Sequence, residues 1–382
     1  MKYRNIGSRV KGEYSALGFG CMRFPMKEAD GQWIIDLPQV EQMFENALDA
    51  GINYFDTAYP YHNGESEKIV GDLLCSRHRD RFSLATKMPV WKVEKEEDFE
   101  TIFNEQLEKL KTDHIDFYLI HAIDKAKWEK MKGFNVKQWL LDKQKEGKIR
   151  YKGFSFHGPA QDFIDIIDDW EDDWDFCQIQ YNFIDTHNQA GTAGLLHAAS
   201  KGIGVVIMEP LLGGSLVDPP QPVREIWDGA DVSMTPVEWA LQWLWDQKEV
   251  GIVLSGMSSL GQLEENLAIA DRSRVGLLTD AQKELFPKAE KLYKSLRPVP
   301  CTACEYCLPC PNGVAIPGVF RFYNDAVGYN QAPQIRKGGY NWWIKEEERG
   351  DKCIECGECM SKCPQSIDII GKLKEAHAFL SA

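Results

Sequence analysis

Cys353, Cys356, Cys359 and Cys363 stand in the run CIECGECMSKCP, closed by Pro364. Thiolates at this density are ligands for soft metal centres. Three of them on one tight loop meet three corners of a cubane iron–sulfur cluster, and the fourth, out of reach, ligates a second cluster. Such a run demands a partner, and CTACEYCLPCP at 301–311 supplies it: Cys301, Cys304 and Cys307 form the triplet, and Cys310 precedes Pro311. Reciprocal exchange predicts one 4Fe–4S cluster on Cys301, Cys304, Cys307 and Cys363, and another on Cys353, Cys356, Cys359 and Cys310. The first run departs from the usual spacing, with two residues rather than three before its final cysteine. Paired zinc sites are the competing assignment, since CxxC pairs also hold zinc. Zinc does not call for four cysteines in one short run, twice, each followed by proline.

A second group carries different chemistry. Asp56 lies in NYFDTAYPY with Tyr61 five residues on, Lys87 ends LATK, and His121 ends YLIH. A lysine beside a tyrosine lowers the phenol pKa, and an aspartate paired with that lysine holds it in place. A phenol tuned this way protonates a developing alkoxide while an imidazole donates a hydrogen bond to the same oxygen. That is carbonyl reduction chemistry. Taken singly, each residue is more often a structural ion pair or a loop tie; four converging on one place point to catalysis.

The elements that must bring them together are legible as alternation. Eight apolar, β-rich runs fall at 14–22, 53–58, 82–88, 115–121, 151–156, 176–182, 204–209 and 251–256. Between them, stretches such as PQVEQMFENALDAG, DFETIFNEQLEKLK and TPVEWALQWLWDQ repeat apolar residues at helical spacing. Glycines in DAGINYF and SKGIGVVI mark helix ends before strands. This predicts an α/β fold, a (β/α)8 TIM barrel, in which chemistry sits at the C-terminal ends of the strands. The alternative, a doubly wound open sheet, is weakened because no GxGxxG opens the first βα unit. A further helix is expected over 279–296, and RPVP at 297–300 punctuates the chain. The expected division is therefore a barrel over 1–296 and a smaller C-terminal ferredoxin-like iron–sulfur domain over 297–382. The aromatic, polar stretch from Arg321 to Lys352 is expected to form helical pieces and loop.

At 382 residues with a formal charge of −14, the chain has material for a sizeable core and an acidic surface that disfavours nucleic acid. Eight of its 11 cysteines lie in the two runs, and Cys21, Cys75 and Cys177 are expected to be small buried hydrophobes. No apolar run follows the N-terminal basic residues, and none approaches a bilayer span. A cytoplasmic protein without a membrane partner is the expectation.

The stretch FDTAYPYHNGESEKIVG, with LATK, YLIH, LGFGCMRFP, GFSFHGP, IQYN, MEPLLGG and SGMSSLGQLEEN, resembles the aldo-keto reductase family over about residues 3–270. The whole chain is similar to its members with a C-terminal two-cluster ferredoxin-like extension. The resemblance implies Asp56, Tyr61, Lys87 and His121 as the catalytic tetrad. It also implies NAD(P)(H), with Ser155 and Gln178 on the nicotinamide amide, though Phe156 stands where the family has Asn and His157 follows. Met208 takes the place of a stacking aromatic, and Glu209 and Gly213 begin and line the pyrophosphate segment. In the last loop Gly256, Ser258, Gln262 and Asn266 face the adenosine end, Gln262 standing at the usual arginine position. That loop has no Lys or Arg but has Glu264 and Glu265, which weakens NADPH specificity and leaves NADH or a flavin open. Ser258 and Ser259 either bind phosphate or cap the helix that follows. The expected function is an oxidoreductase interconverting a small-molecule carbonyl and alcohol, with electrons linked to two 4Fe–4S clusters and a ferredoxin or flavodoxin-type electron partner. The alternative is an electron-transfer or redox-sensing protein whose barrel is a scaffold. Trp128 and Trp227, in loops after strands 4 and 7, either line a substrate pocket or pack those loops.

Overall fold

The computed structural model describes residues 1–29, 31–170, 172–301, 303–331 and 339–382. Eight strands form the barrel: β1 (Leu17–Gly20), β2 (Tyr54–Asp56), β3 (Ser83–Met88), β4 (Ile115–Ile123), β5 (Ile149–Phe156), β6 (Phe176–Gln180), β7 (Gly204–Met208) and β8 (Ile252–Ser255). Each pairs in parallel with its neighbours in chain order, and β8 pairs with β1, so the barrel closes. The eight apolar runs of the sequence are these strands. The helix Leu37–Asp49 buries Val40, Met43, Phe44, Ala47 and Leu48, the three- and four-residue rhythm of an amphipathic helix against the barrel. Gly51 and Gly202 take φ of +90° and +73°, the left-handed turns that stop helices before β2 and β7. No helix among the described residues is long and apolar enough to cross a membrane.

Contacts divide the chain into two compact units, Met1–Pro210 with Ala240–Leu278, and Leu211–Trp239 with Thr279–Ala382. In the first, Tyr54, Ala85, Phe117, Leu119, Tyr151, Phe176, Val206, Ile252 and Leu254 form one buried cluster along the strands. Side chains on a strand alternate faces. Two residues beyond members of this cluster come Asp56, Lys87, His121, Gln178 and Met208. The same periodicity that fills the barrel therefore carries Asp56, Lys87 and Gln178 to its C-terminal mouth. At the other end the hairpin Tyr3–Arg4 with Tyr14–Ser15 brings Tyr14 edge-on to Phe117, ring centroids 5.2 Å apart.

The second unit has its own core, built on the helices Ile316–Gly328 and Ile369–Ser381. Cys359 is buried in it, and Cys301, Cys307, Cys310, Cys353 and Cys363 pack against it. Thr279 caps Asp280–Lys283 with a full capping box to Gln282, and Leu285–Ser295 follows, where one helix was expected. Within the stretch 321–352 the structure has the end of Ile316–Gly328 and short turns at Asn341–Trp343, Glu346–Glu348 and Gly350–Lys352; residues 332–338 lie outside the described part.

Gly153, mid-strand in β5, has no room for a side chain: a Cβ there would sit 2.5 Å from the Phe176 carbonyl oxygen and 2.6 Å from its ring. Gly153→Ala is expected to lower unfolding free energy by about 2–3 kcal/mol, read by chemical denaturation of the purified chain. An unchanged midpoint would contradict this packing.

Candidate active site

The four residues singled out for carbonyl chemistry meet at the barrel mouth. Lys87 Nζ donates to Asp56 Oδ1 at 2.6 Å, to the Thr57 carbonyl oxygen at 2.8 Å and contacts the Tyr61 hydroxyl at 3.3 Å. The Asp56 and Lys87 side chains are only 4% and 1% exposed. The second Asp56 oxygen, Oδ2, accepts from Gln178 Nε2 at 2.9 Å, so both carboxylate oxygens are engaged. His121 stands edge-on to the Tyr61 ring, centroids 6.4 Å apart, and its buried Nδ1 has no hydrogen-bond partner among the described residues.

Backbone geometry aims His121. The β4–β5 register slips between Ile120 and Ile123, a bulge that contains His121 and Ala122, and Ala122 takes φ +50°. A bulge re-aims a side chain and leaves an amide without its ladder partner. Ser155 Oγ accepts that Ala122 N–H at 2.7 Å.

Charge at the mouth follows from burial. Burial pushes the Lys87 ammonium down, but Asp56 and Tyr61 outweigh it and the net shift is upward. For Tyr61 burial raises the phenol above its ordinary value more than Lys87 lowers it. This corrects the expectation of a phenol lowered by its lysine: the group is a firmly neutral proton donor. His121 is driven down to about 3 by burial first, then by Lys87, His157 and Lys127. Its imidazole is neutral at physiological pH and can donate only one hydrogen bond.

The residues expected at a nucleotide divide. Ser155 and Gln178 are buried at the mouth but already serve the bulge and Asp56. Met208 ends β7, and exposed Glu209 takes φ +54°, an uncommon conformation for a non-glycine residue. Gly213, φ +68°, belongs to the second unit. Past Gly256, Ser259 caps the helix Leu260–Asp271 by accepting from Gln262 N, while Gln262 Oε1 accepts from the Ser258 amide at 2.8 Å and its hydroxyl at 3.2 Å. Asn266 Nδ2 donates to Ser255 Oγ at 2.8 Å, tying this helix to the end of β8. Ser259 is thus the cap of that helix. Trp128 and Trp227 are buried packing residues, Trp128 against Trp174 and Trp227 stacked on Trp239.

In the second unit, Cys301, Cys304, Cys307 and Cys363 line one small cavity over Ile316 and Phe320. Cys353, Cys310 and Cys356 lie around the Cys359 thiol. The two loops also share a backbone: Ala303 and Glu305 flank Cys304 at φ +53° and +63°, and Glu355 and Gly357 flank Cys356 at +59° and +80°. Alternating left-handed residues turn successive amides into one concavity, the form that cradles anions and iron–sulfur sulfides. Burial raises the thiols of Cys301 and Cys359, and that of Cys307 to about 11. Metal must therefore displace protons on binding. The donor set and loops fit 4Fe–4S chemistry.

Residues 16–275 match the Aldo/keto reductase family, which decides the assignment of the barrel. The chain belongs to that family. Residues 300–367 match the 4Fe-4S dicluster domain. Among relatives of this aldo-keto reductase, an uncharacterized oxidoreductase, YqkF, of Bacillus subtilis is 27% identical over 312 residues, spanning 72% of this chain and 93% of the relative. L-galactose dehydrogenase of Arabidopsis thaliana is 29% identical over 283 residues, spanning 69% and 85%. In structure the chain is similar to aldo-keto reductase AKR11C1 of Bacillus halodurans in its holo form, with TM-score 0.62 and 23% identity over 76% of this chain and 96% of that one.

Sequence reasoning missed three parts of this aldo-keto reductase mouth. Trp91, half exposed after β3, lies against His121 with centroids 5.2 Å apart. Behind β3, buried Glu67 accepts from Thr86 Oγ1 and Gln106 Nε2, and Gln106 also donates to the Lys87 carbonyl oxygen at 3.0 Å. Tyr118 completes this clamp by donating to Gln106 Oε1 at 2.7 Å. His157, next to the missing Asn, pairs its Nδ1 with Gln189 Oε1 at 3.1 Å.

His121 has a pH signature. Its folded-state value near 3 lies below the ordinary value of about 6.5, so the unfolded chain takes up the proton first. Stability is full above about 6.5 and declines as pH falls toward about 3. At pH 5 the loss from this one group is about 1–2 kcal/mol. His121→Gln is expected to flatten the decline between pH 7 and pH 5, measured by urea unfolding at each pH. Parallel declines in both proteins would contradict the assignment.

Proposed function

We propose that this aldo-keto reductase interconverts a small-molecule carbonyl and its alcohol at the barrel mouth, with electrons linked to two 4Fe–4S clusters. The observation that carries it is the buried Lys87 ammonium bridging Asp56 Oδ1 and the Tyr61 hydroxyl, with His121 against the same phenol. In reduction the carbonyl carbon gains two electrons and a proton, and its oxygen takes a proton from Tyr61. The neutral His121 donates a hydrogen bond to that oxygen as charge grows on it. Lys87 stabilises the resulting phenolate, and Asp56 with the Thr57 carbonyl oxygen keeps the ammonium from swinging away. Trp91 walls the carbonyl's approach.

A nicotinamide supplies both electrons as hydride, whereas an iron–sulfur cluster passes one electron at a time. The Ser155 hydroxyl and Gln178 Oε1 would hold the carboxamide, and a flavin-type carrier at the mouth would divide the hydride's two electrons between the one-electron clusters. The proposed ligand sets are Cys301, Cys304, Cys307 and Cys363, and Cys353, Cys356, Cys359 and Cys310, in a ferredoxin-like module over 297–382 beyond a barrel module over 1–296. One observation favours the second reading, a scaffold barrel with electron-transfer or redox-sensing clusters: Gln178, Ser155, Ser258, Ser259 and Gln262 all have internal partners.

The two separate on turnover. Iron-loaded protein is given 4-nitrobenzaldehyde under anaerobic conditions with NADH and with NADPH, and alcohol is quantified. The catalytic mouth predicts turnover that falls about 10²–10⁴-fold in Tyr61→Phe. Absence of turnover, or equal turnover in the variant, would favour the scaffold.

A further inference from the structure

The residue after Tyr61 stands in a conformation its side chain disfavours. His62 takes φ +51° and ψ +46°, and Asn63 follows at φ +56° and ψ +31°. Gly64 continues at φ +92°, so three left-handed residues turn the chain directly behind the phenol. Glycine, or failing that asparagine, suits such a position better than histidine. Strain of this kind persists only where the surroundings over-determine it, and it gathers at functional sites.

Two contacts hold His62 there. Its Nε2 accepts the Phe24 backbone N–H at 2.9 Å, and its ring stacks on the Phe24 ring with centroids 4.9 Å apart and planes 9° from parallel. An amide N–H can only donate, so Nε2 must carry the lone pair and the ring must be neutral with its proton on Nδ1. Partial burial of the imidazole lowers its pKa and favours that neutral form. Phe24 is a firm anchor: it is buried and packs edge-on against Phe44. The same segment is fixed at Cys21, whose N–H donates to the Asp56 carbonyl oxygen and whose carbonyl oxygen accepts from Ser66 Oγ. Ahead of the phenol the Tyr61 N–H donates to the Ala58 carbonyl oxygen at 3.1 Å.

We propose that His62 is a positioning residue, a neutral latch that ties the loop carrying Tyr61 to the segment after β1 and thereby sets the phenol's distance from Lys87. It rests on Tyr61 being the proton donor of the mouth. A residue present only to fill the turn would be improved by glycine or asparagine. A latch instead requires an acceptor at the reach of Nε2. Glutamine supplies one, because Gln Oε1 lies as many bonds from Cα as His Nε2. Asparagine places its oxygen at the level of Nδ1 and falls short.

The test uses the full chain labelled with ζ-¹³C tyrosine, the Tyr61 resonance being assigned with Tyr61→Phe. His62→Gln is expected to keep the Tyr61 resonance in place, while His62→Asn and His62→Gly shift it. Thermal midpoints are expected to run the other way, Gly and Asn equalling or exceeding Gln. With 4-nitrobenzaldehyde, kcat follows the resonance, falling about tenfold or more in Asn and Gly and recovering in Gln. A Tyr61 resonance identical in all three variants, or displaced equally in Gln, overturns the latch. If the resonance moves as expected while the wild type reduces no aldehyde, the latch stands and the carbonyl proposal fails.

Discussion

Lys87 and Asp56 form an ion pair 2.6 Å long in which neither side chain reaches solvent. Removing two charges from water costs several kcal/mol per ion, and attraction alone repays it only when the remaining hydrogen-bonding capacity is met. Here it is met from three directions. The Thr57 carbonyl oxygen and Tyr61 take the lysine, and Gln178 reaches across from β6 to the free carboxylate oxygen. The pair thus fixes β2, β3 and β6 relative to one another at the mouth. Gln106, holding the Lys87 carbonyl oxygen, extends the constraint outward to Glu67 and Tyr118. A structure that keeps such a pair keeps the geometry of its phenol as well.

At Tyr61 and His121 burial decides the protonation state more than neighbouring charge does. The same desolvation keeps the Tyr61 proton on its oxygen and His121 uncharged. A donor phenol beside a neutral imidazole suits the protonation of a developing alkoxide, because neither group loses its proton to water first. The sequence alone put the lysine nearest the tyrosine and so suggested the opposite sign for the phenol; depth in the barrel is not written in spacing.

Much of the barrel was legible because the interior rows follow a period of two. Tyr54 leads to Asp56, Ala85 to Lys87 and Phe176 to Gln178, each pair on one face of one strand. What escaped depends on contacts between elements or on local irregularity. The β4 bulge that turns His121 leaves no mark in YLIHAI, and Ser155 is read correctly only once the orphaned Ala122 amide is seen. Glu67 and Gln106 lie on different helices, 39 residues apart. Trp128 and Trp227 could be read from their loops either as pocket walls or as packing, and they are packing. In the second unit the expectation that the fourth ligands cross rests on the cysteine spacings. The structure adds that both loops use left-handed residues on either side of the middle cysteine, with Glu305 doing what Gly357 does.

The linkage between the barrel's two-electron chemistry and the one-electron clusters is the claim on which the proposed function turns. Anaerobic titration of the iron-loaded protein with NADH and then NADPH, following cluster absorbance and any flavin band, tests it most directly. A single redox chain predicts that one nucleotide bleaches the clusters. Clusters that stay oxidised under both, with iron and sulfide bound in full, would contradict it.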